Sequence, residues 1–361
     1  MNHRLATVLS EEAITTAATK VIDLDMADVI SRIQINVEVE MPGDVLGAHP
    51  ASVLSNIELV DGSDVLFSMS GKEAQALDFY QTGIMPFNAI TDRDGNDCIS
   101  VFNINFGRFL YDELLAFDPK KFRNPQLKIT HNYAATGGTP SDARMEVRAF
   151  LFDEKVPAPI GFLMSKEYYQ FTSGVVDTYH SVDMPVDYKT RRYMILGTAA
   201  GYFCQQVVNE IRLSEDNAKR IPYDTKVWQL LKWLHQMYPR IEEYAHITGL
   251  AATRVVYASP TQDIVVNAVG DAVTNITSVS TIPTKMPFTL DITADGAAAM
   301  QISGNDPHYS FMLPLGRANE IDDWYDVTKI GNLKMRFKAG SAGILGVVEI
   351  VTEQLRTYAA A

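Results

Sequence analysis

The chain has 361 residues, 47% hydrophobic and 21% charged, which suits folded cores and excludes a disordered chain. Its 31 basic and 44 acidic side chains leave a net charge of −13 with no basic block, which argues against direct nucleic-acid binding through phosphate contacts. No run approaches the roughly 18 apolar residues of a bilayer-spanning helix, and two cysteines, Cys98 and Cys204, cannot build a disulfide framework.

At about 150 residues per domain the length predicts two domains. The opening Met1–Leu5 has no apolar run behind it, so no secretory leader is expected. Ser10-Glu11-Glu12 reads as an N-cap with acidic residues in the first turn. Ile14, Ala17, Ala18 and Val21 follow at i, i+3, i+4 and i+7 as one apolar face. A short helix is therefore predicted within an N-terminal arm over residues 1–26.

Ile33 to Glu40 alternates apolar and polar for eight residues, a half-buried strand. Similar short runs follow at Ile57–Val60, Val101–Phe106, Leu127–Thr130, Met145–Phe152, Asp263–Val266, Phe311–Leu315, Leu333–Phe337 and Ile344–Val351. Turn signals lie between them: Asp61-Gly62, Asp94-Gly95, Gly137-Gly138, Asp295-Gly296 and Gly304-Asn305-Asp306. Lys72 to Tyr80 carries a weak helical pattern. A stronger helix is predicted from Asp224, with Val227, Leu230, Leu231 and Leu234 on one face, Trp228 and Trp233 beside it, and Pro239 to end it. Val156-Pro157-Ala158-Pro159, lacking two backbone donors, reads as a linker between a unit over 27–155 and a second over 156–361. Many short strands with few helices indicate sandwiches or barrels.

The two halves repeat one another. Ile57 and Ile211, Lys72 and Lys226, and Leu77 and Leu231 all stand 154 residues apart. In the same order come Met85-Pro86-Phe87 and Met286-Pro287-Phe288, then Ile90–Gly95 and Ile292–Gly296, then Phe102–Arg108 and Phe311–Arg317. Leu127-Lys128-Ile129 and Leu333-Lys334-Met335 close the series. Each half reads as the same β unit, the second with an insertion around 238–285. Within it, Val265–Val269 and Ile276–Thr281 are predicted to pair as a hairpin.

The repeated unit runs strand, turn, short strand and helix with a Trp, then an apolar strand ending in Gly-Arg before a Leu-Lys-Ile strand. Val207–Leu213, running on to Ile221-Pro222-Tyr223-Asp224 and Trp228, carries this pattern, as does Phe311–Leu315. It resembles the double jelly-roll major capsid proteins of tailless icosahedral viruses, many of which enclose an internal membrane. Two departures stand out: the turn Glu215-Asp216-Asn217 has no glycine, and Phe106 stands where a proline-containing strand is expected. The resemblance implies an all-β fold with a few short helices, two tandem eight-stranded jelly-roll β-sandwiches in one chain. It further implies a virion protein, assembled in the host cytoplasm, whose homotrimers form pseudo-hexagonal capsomers. Neighbouring capsomers and penton and minor capsid proteins would be its partners, with the N-terminal helix against a neighbour or an internal lipid membrane. The insertion would be an outward tower or a trimer clasp.

Chemistry-bearing motifs are thin. Seven histidines never fall at His-x-His or His-Glu-x-x-His spacing, and no Gly-x-Ser-x-Gly occurs. Asp92, Asp94, Asn96 and Asp97 are a weak calcium candidate, because the glycine and glutamate positions of an EF-hand loop are wrong and an Asp-Gly turn explains them as well. Arg108 and Arg317 end equivalent strands, where structural bonds to strand-end carbonyls are expected. Trp228 and Trp233 read as core or interface anchors. No cofactor and no enzymatic activity are expected. The alternatives are a double jelly-roll hydrolase, amidase- or glycosidase-like, and a carbohydrate-binding module.

Overall fold

The computed structural model describes residues 1–41, 47–92, 95–137, 140, 142–199, 201–249, 252–269, 273–278, 288–292 and 296–358. Strands dominate. The first half contains β1 (His3–Ala13), β2 (Ala18–Asp23), β3 (Ile30–Met41), β4 (Leu54–Asp61), β5 (Asp64–Met69), helix α1 (Gly71–Thr82), β6 (Asn88–Asp92), β7 (Asn96–Asn105), β8 (Pro125–His131) and β9 (Asp142–Phe152). The second begins with β10 (Gly161–Thr172), β11 (Tyr179–Asp183), β12 (Thr190–Thr198), α2 (Cys204–Val207), β13 (Val208–Glu215), β14 (Arg220–Lys226) and α3 (Val227–Met237). It continues through β15 (Ile241–Gly249), β16 (Ala252–Val256), β17 (Pro260–Val269), β18 (Val273–Ser278), β19 (Phe288–Ile292) and β20 (Gly296–Pro307). It ends with β21 (Ser310–Pro314), β22 (Leu333–Ala339) and β23 (Val347–Thr357).

Strand order makes the duplication visible. The first half supplies the rows β1-β9-β3-β7 and β2-β8-β4-β5; the second supplies β10-β23-β12-β21 and β11-β22-β13-β14. Each row of the second half repeats the order of its counterpart, and each half places a helix directly after its fifth strand. These are two eight-stranded jelly rolls, and the predicted all-β fold holds. Three of the repeated pairs fall on equivalent strands: Ile57 and Ile211 on β4 and β13, Phe102 and Phe311 on β7 and β21, Leu127 and Leu333 on β8 and β22. Ile90 and Ile292 do not, because β6 lies beside β7 whereas β19 pairs with β16 and β18, and Met286 and Pro287 lie outside the described residues. Period-two patterning explains the cores. On β3, Ile33, Ile35, Val37 and Val39 are buried while the alternating Gln34, Asn36, Glu38 and Glu40 are only half-buried.

The halves join edge to edge through parallel pairs. β5 meets β10 with Phe67 opposite Ser165, fusing two rows into one eight-stranded sheet. β6 meets β15 with Ala89 opposite Tyr244, and β20 and β17 follow beyond it. One continuous cluster of buried side chains therefore runs through both halves.

Several expectations need correction. Residues 1–26 hold no helix: β1 pairs with β9 and β2 with β8, so this segment forms the outer strands of both first-half rows. The helical spacing of Ile14, Ala17, Ala18 and Val21 was coincidental. Ile14 is buried, but Ala17, Ala18 and Val21 are exposed, and the inward residues are Ile22 and Leu24, two apart as a strand requires. The membrane or neighbour contact assigned to that helix loses its basis. Val265–Val269 does not pair with the segment at 276: β17 pairs with β20 and β18 with β19. Residues 279–281 of that expected hairpin lie outside the described residues. The 238–285 insertion is not a free appendage either, because β15 and β17 extend a sheet begun in the first half. Gly304-Asn305-Asp306 lies within β20, and the turn follows at His308 and Tyr309, both with positive φ.

Candidate functional site

The polar chemistry of the described residues concentrates at the seam between the jelly rolls, and α1 places much of it there. Ser70 caps the helix: its hydroxyl accepts from the Glu73 amide, while the Glu73 carboxylate accepts from the Ser70 amide at 2.7 Å, a capping box. Gly71 sits so close to the Ala51 carbonyl and the Phe102 ring that no side chain fits. Gly83, at φ 76°, takes the left-handed conformation that ends the helix, and its amide bonds the Phe79 carbonyl at 2.7 Å. Nearly every α1 side chain from Glu73 to Tyr80 is buried, polar ones included.

One polar cluster fastens the end of α1 to the second jelly roll. Glu353 on β23, fully buried, forms an ion pair with Arg192 Nε at 2.6 Å and accepts from Arg191 Nη1 at 3.2 Å and Gln81 Nε2 at 2.5 Å. Arg192 also donates to the Tyr80 carbonyl, and the Tyr80 hydroxyl donates to the Ser310 carbonyl at 3.0 Å. Burial alone would raise the Glu353 carboxyl, but the two guanidinium groups outweigh it and hold it below the usual carboxylate range. Arg191 is pushed down to about 10 by burial and by the charge of Arg192.

A second cluster ties the loop before β4 to β15 and the segment after β16. His49 Nε2 lies 3.1 Å from Glu243 Oε1 and 3.1 Å from Ser259 Oγ; the serine hydroxyl donates to the same carboxylate at 2.5 Å. The Ser259 amide bonds Glu243 Oε2 at 2.7 Å, and Asn88 and Gln75 extend the chain of bonds to His308. Ser, His and Glu within bonding distance invite comparison with a nucleophilic triad, yet the wiring differs. His49 Nδ1 accepts from the Ala51 amide at 3.1 Å, which puts the ring proton on Nε2, where it donates to Glu243. Nε2 therefore has no lone pair with which to take the Ser259 proton, and the carboxylate bonds the serine instead of orienting the far side of the ring. Ser259 is also fully buried. This network fastens the two halves; it does not activate a nucleophile. Burial opposes ionisation of Glu243, but the His49 ring and the Ser259 bonds prevail and lower its pKa.

The residues singled out from sequence disperse. Asp94 and the side chain of Asp92 lie outside the described residues; Asp97 pairs with Arg144 at 3.2 Å, and Asn96 is at the start of β7. Arg108 and Arg317 occupy equivalent places but bond mainly carboxylates. Arg108 Nε reaches Asp112 at 2.6 Å, and Arg317 Nε reaches Asp323 at 3.2 Å. Each also bonds the same carboxylate through its own amide, pinning the loop beyond its strand, and only Arg108 reaches a carbonyl, that of Asn319 at 2.9 Å. On α3, Val227, Leu230, Leu231 and Leu234 face the core, whereas Trp228 and Trp233 stay 41% and 44% exposed. Both tryptophans thus stand on the surface of the helix and not in the core. His49, Glu243, Ser259, Arg191, Arg192 and Glu353 were not singled out; only the rarity of charged residues within apolar strand patterns marked the last three.

No family model matches the chain, and no curated protein matches it. Among solved structures, the major capsid protein of Sulfolobus turreted icosahedral virus superimposes with a TM-score of 0.61 at 11% identity, over 99% of this chain and 98% of that one. The major capsid protein P2 of bacteriophage PM2 gives 0.56 at 10%, over 99% and 98%, and PBCV-1 Vp54 gives 0.57 at 9%, over 98% and 94%. Identities this low speak to architecture, and across nearly its whole length this chain has the double jelly-roll fold of those viral capsid proteins.

Proposed function

We propose that the chain is the major capsid protein of a tailless icosahedral virus and that three copies form a pseudo-hexagonal capsomer. The observation that carries this reading is the repeated strand order joined edge to edge at β5/β10 and β6/β15, which gives one chain two similar jelly rolls with buried ties between them. Three such chains around a threefold axis present six similar barrels, a near-hexagonal outline that tiles a flat facet with one gene product. Solved structures with this fold over nearly the whole chain being viral capsid proteins supports the same reading. In it, Trp228 and Trp233 on α3 are contacts between copies, since exposed aromatic side chains are the usual anchors of protein interfaces. The first unit would end near residue 155, at the Val156–Pro159 linker, and neighbouring capsomers and penton and minor capsid proteins would be the partners of the assembled shell. The virion would be its location and the host cytoplasm the place of assembly. Light scattering of the purified full chain tests this: a mass three times that of one chain is expected, and a monomer across micromolar concentrations contradicts it.

A further inference from the structure

A cavity of about 480 Å³ opens at the seam beside the His49 network, within the range of small-molecule sites. Its floor and walls come from both jelly rolls: Ala48 and Lys72 from the first, Leu196, Tyr257, Ala258 and Glu349 from the second. Leu196, Tyr257 and Ala258 are at least nine-tenths buried and give it an apolar body. Lys72 is its one lining lysine, and among the described residues its ammonium has no ion-pair partner within 4.0 Å. The acids nearby do not neutralise it by contact. Glu73 is turned into the Ser70 cap, and Glu349 receives Gln170 at 3.0 Å. His308, also on the wall, spends Nε2 on Gln75. The pocket therefore joins an apolar body to one ammonium that the wall carboxylate of Glu349 faces without contacting, which leaves that ammonium free to bond an incoming anionic group.

We propose that this cavity binds a small organic anion, an apolar body bearing one sulfonate, carboxylate or phosphate group, with Lys72 as the anchor for its charge. Burial lowers the Lys72 pKa against the opposing pull of Glu349, so an incoming anion gains a partner whose desolvation is already partly complete. Bound across the seam, such a ligand would stabilise the folded chain through linkage. The inference stands whether or not the chain builds a shell.

The test uses the purified full chain, titrated by fluorescence with 1-anilinonaphthalene-8-sulfonate and, in parallel, with the neutral N-phenyl-1-naphthylamine. Lys72→Met keeps the aliphatic stem and removes the charge, and Ala48→Phe fills the cavity from a half-buried position. The sulfonate should bind the native chain, and about tenfold more weakly to Lys72→Met, as one lost charge-assisted contact implies. The neutral probe should bind both equally, and Ala48→Phe should abolish both. Thr198→Trp, also on the wall, replaces Ala48→Phe if that variant fails to fold. Equal sulfonate affinity in the native chain and Lys72→Met, probe binding unaffected by filling, or no binding at millimolar probe overturns the proposal.

Discussion

Replacing Glu353 by Gln puts the seam under the sharpest test. The side chain is fully buried, forms an ion pair with Arg192 at 2.6 Å and accepts from Arg191 at 3.2 Å and Gln81 at 2.5 Å, so the substitution leaves two buried guanidinium groups without a counter-charge. Summing the two charge-assisted bonds and the ion pair would overstate the loss, because the amide keeps some of the hydrogen bonding. Removal of one partner from a buried ion pair costs about 3–5 kcal/mol, and Gln should fall near the lower end, about 3 kcal/mol. Guanidinium denaturation followed by tryptophan fluorescence reads this as a lower midpoint with an unchanged slope. Replacing Arg191, Arg192 and Glu353 together by Met, Leu and Leu should recover much of it, because no uncompensated charge remains. The sign with pH follows. The folded-state pKa of Glu353 lies below its unfolded value, so its contribution is present at neutral pH and is lost as pH falls through the folded value. A loss under 1 kcal/mol, or a triple variant weaker than Glu353→Gln, would refute the claim that this cluster holds the halves together.

Three further outcomes follow from the same structure. Glu73 is raised to about 8 by burial and by the charges of Glu349 and Glu167, so the folded chain binds a proton the unfolded chain releases. Native stability should decline between pH 4.5 and 8 by at most roughly 1.4 kcal/mol per unit from this group, and Glu73→Gln, still able to cap, should flatten that decline in urea midpoints. Deleting residues 1–23 strips β1 and β2 from the outer edges of both first-half rows and exposes Ile14 and Ile22's partners, so the truncated chain should fail to fold, read by circular dichroism and solubility; a cooperatively folded product would contradict the placement of these strands. Leu231→Ala on the inner face of α3 should cost about 2–5 kcal/mol, whereas Trp228→Gln with Trp233→Gln should leave the melting temperature within a few degrees and reduce association in light scattering.

Patterns carried within a few residues were legible. The alternation of β3 and the apolar face of α3 each express one period over one element, and the equal spacing of Ile57/Ile211 and Leu77/Leu231 carried the duplication without any contact being known. α1 was a weak signal because it is buried almost all round between the halves, which leaves it no polar face to set a period. The N-terminal segment misled because Ile14, Ala17, Ala18 and Val21 satisfy a helical spacing, while the Ile22–Leu24 alternation that decides the matter is three residues long and acts only through the pairing of β2, and of Leu24 just beyond it, with β8. The hairpin expected in the insertion failed for the same reason: two β-rich segments close in sequence found better partners in β20 and β19. The polar seam was out of reach. His49 and Glu243 stand 194 residues apart, Gln81 and Glu353 272 apart, and nothing local to either residue names its partner.

Two jelly rolls of the same strand order stand side by side in this chain, and the proposed function requires three such chains to close into a capsomer. Cryo-electron microscopy of the purified full chain tests it most directly. Class averages should show three chains around a threefold axis with six upright barrels in a near-hexagonal outline, and particles of a single chain, or a closed dimer with no threefold view, would contradict it.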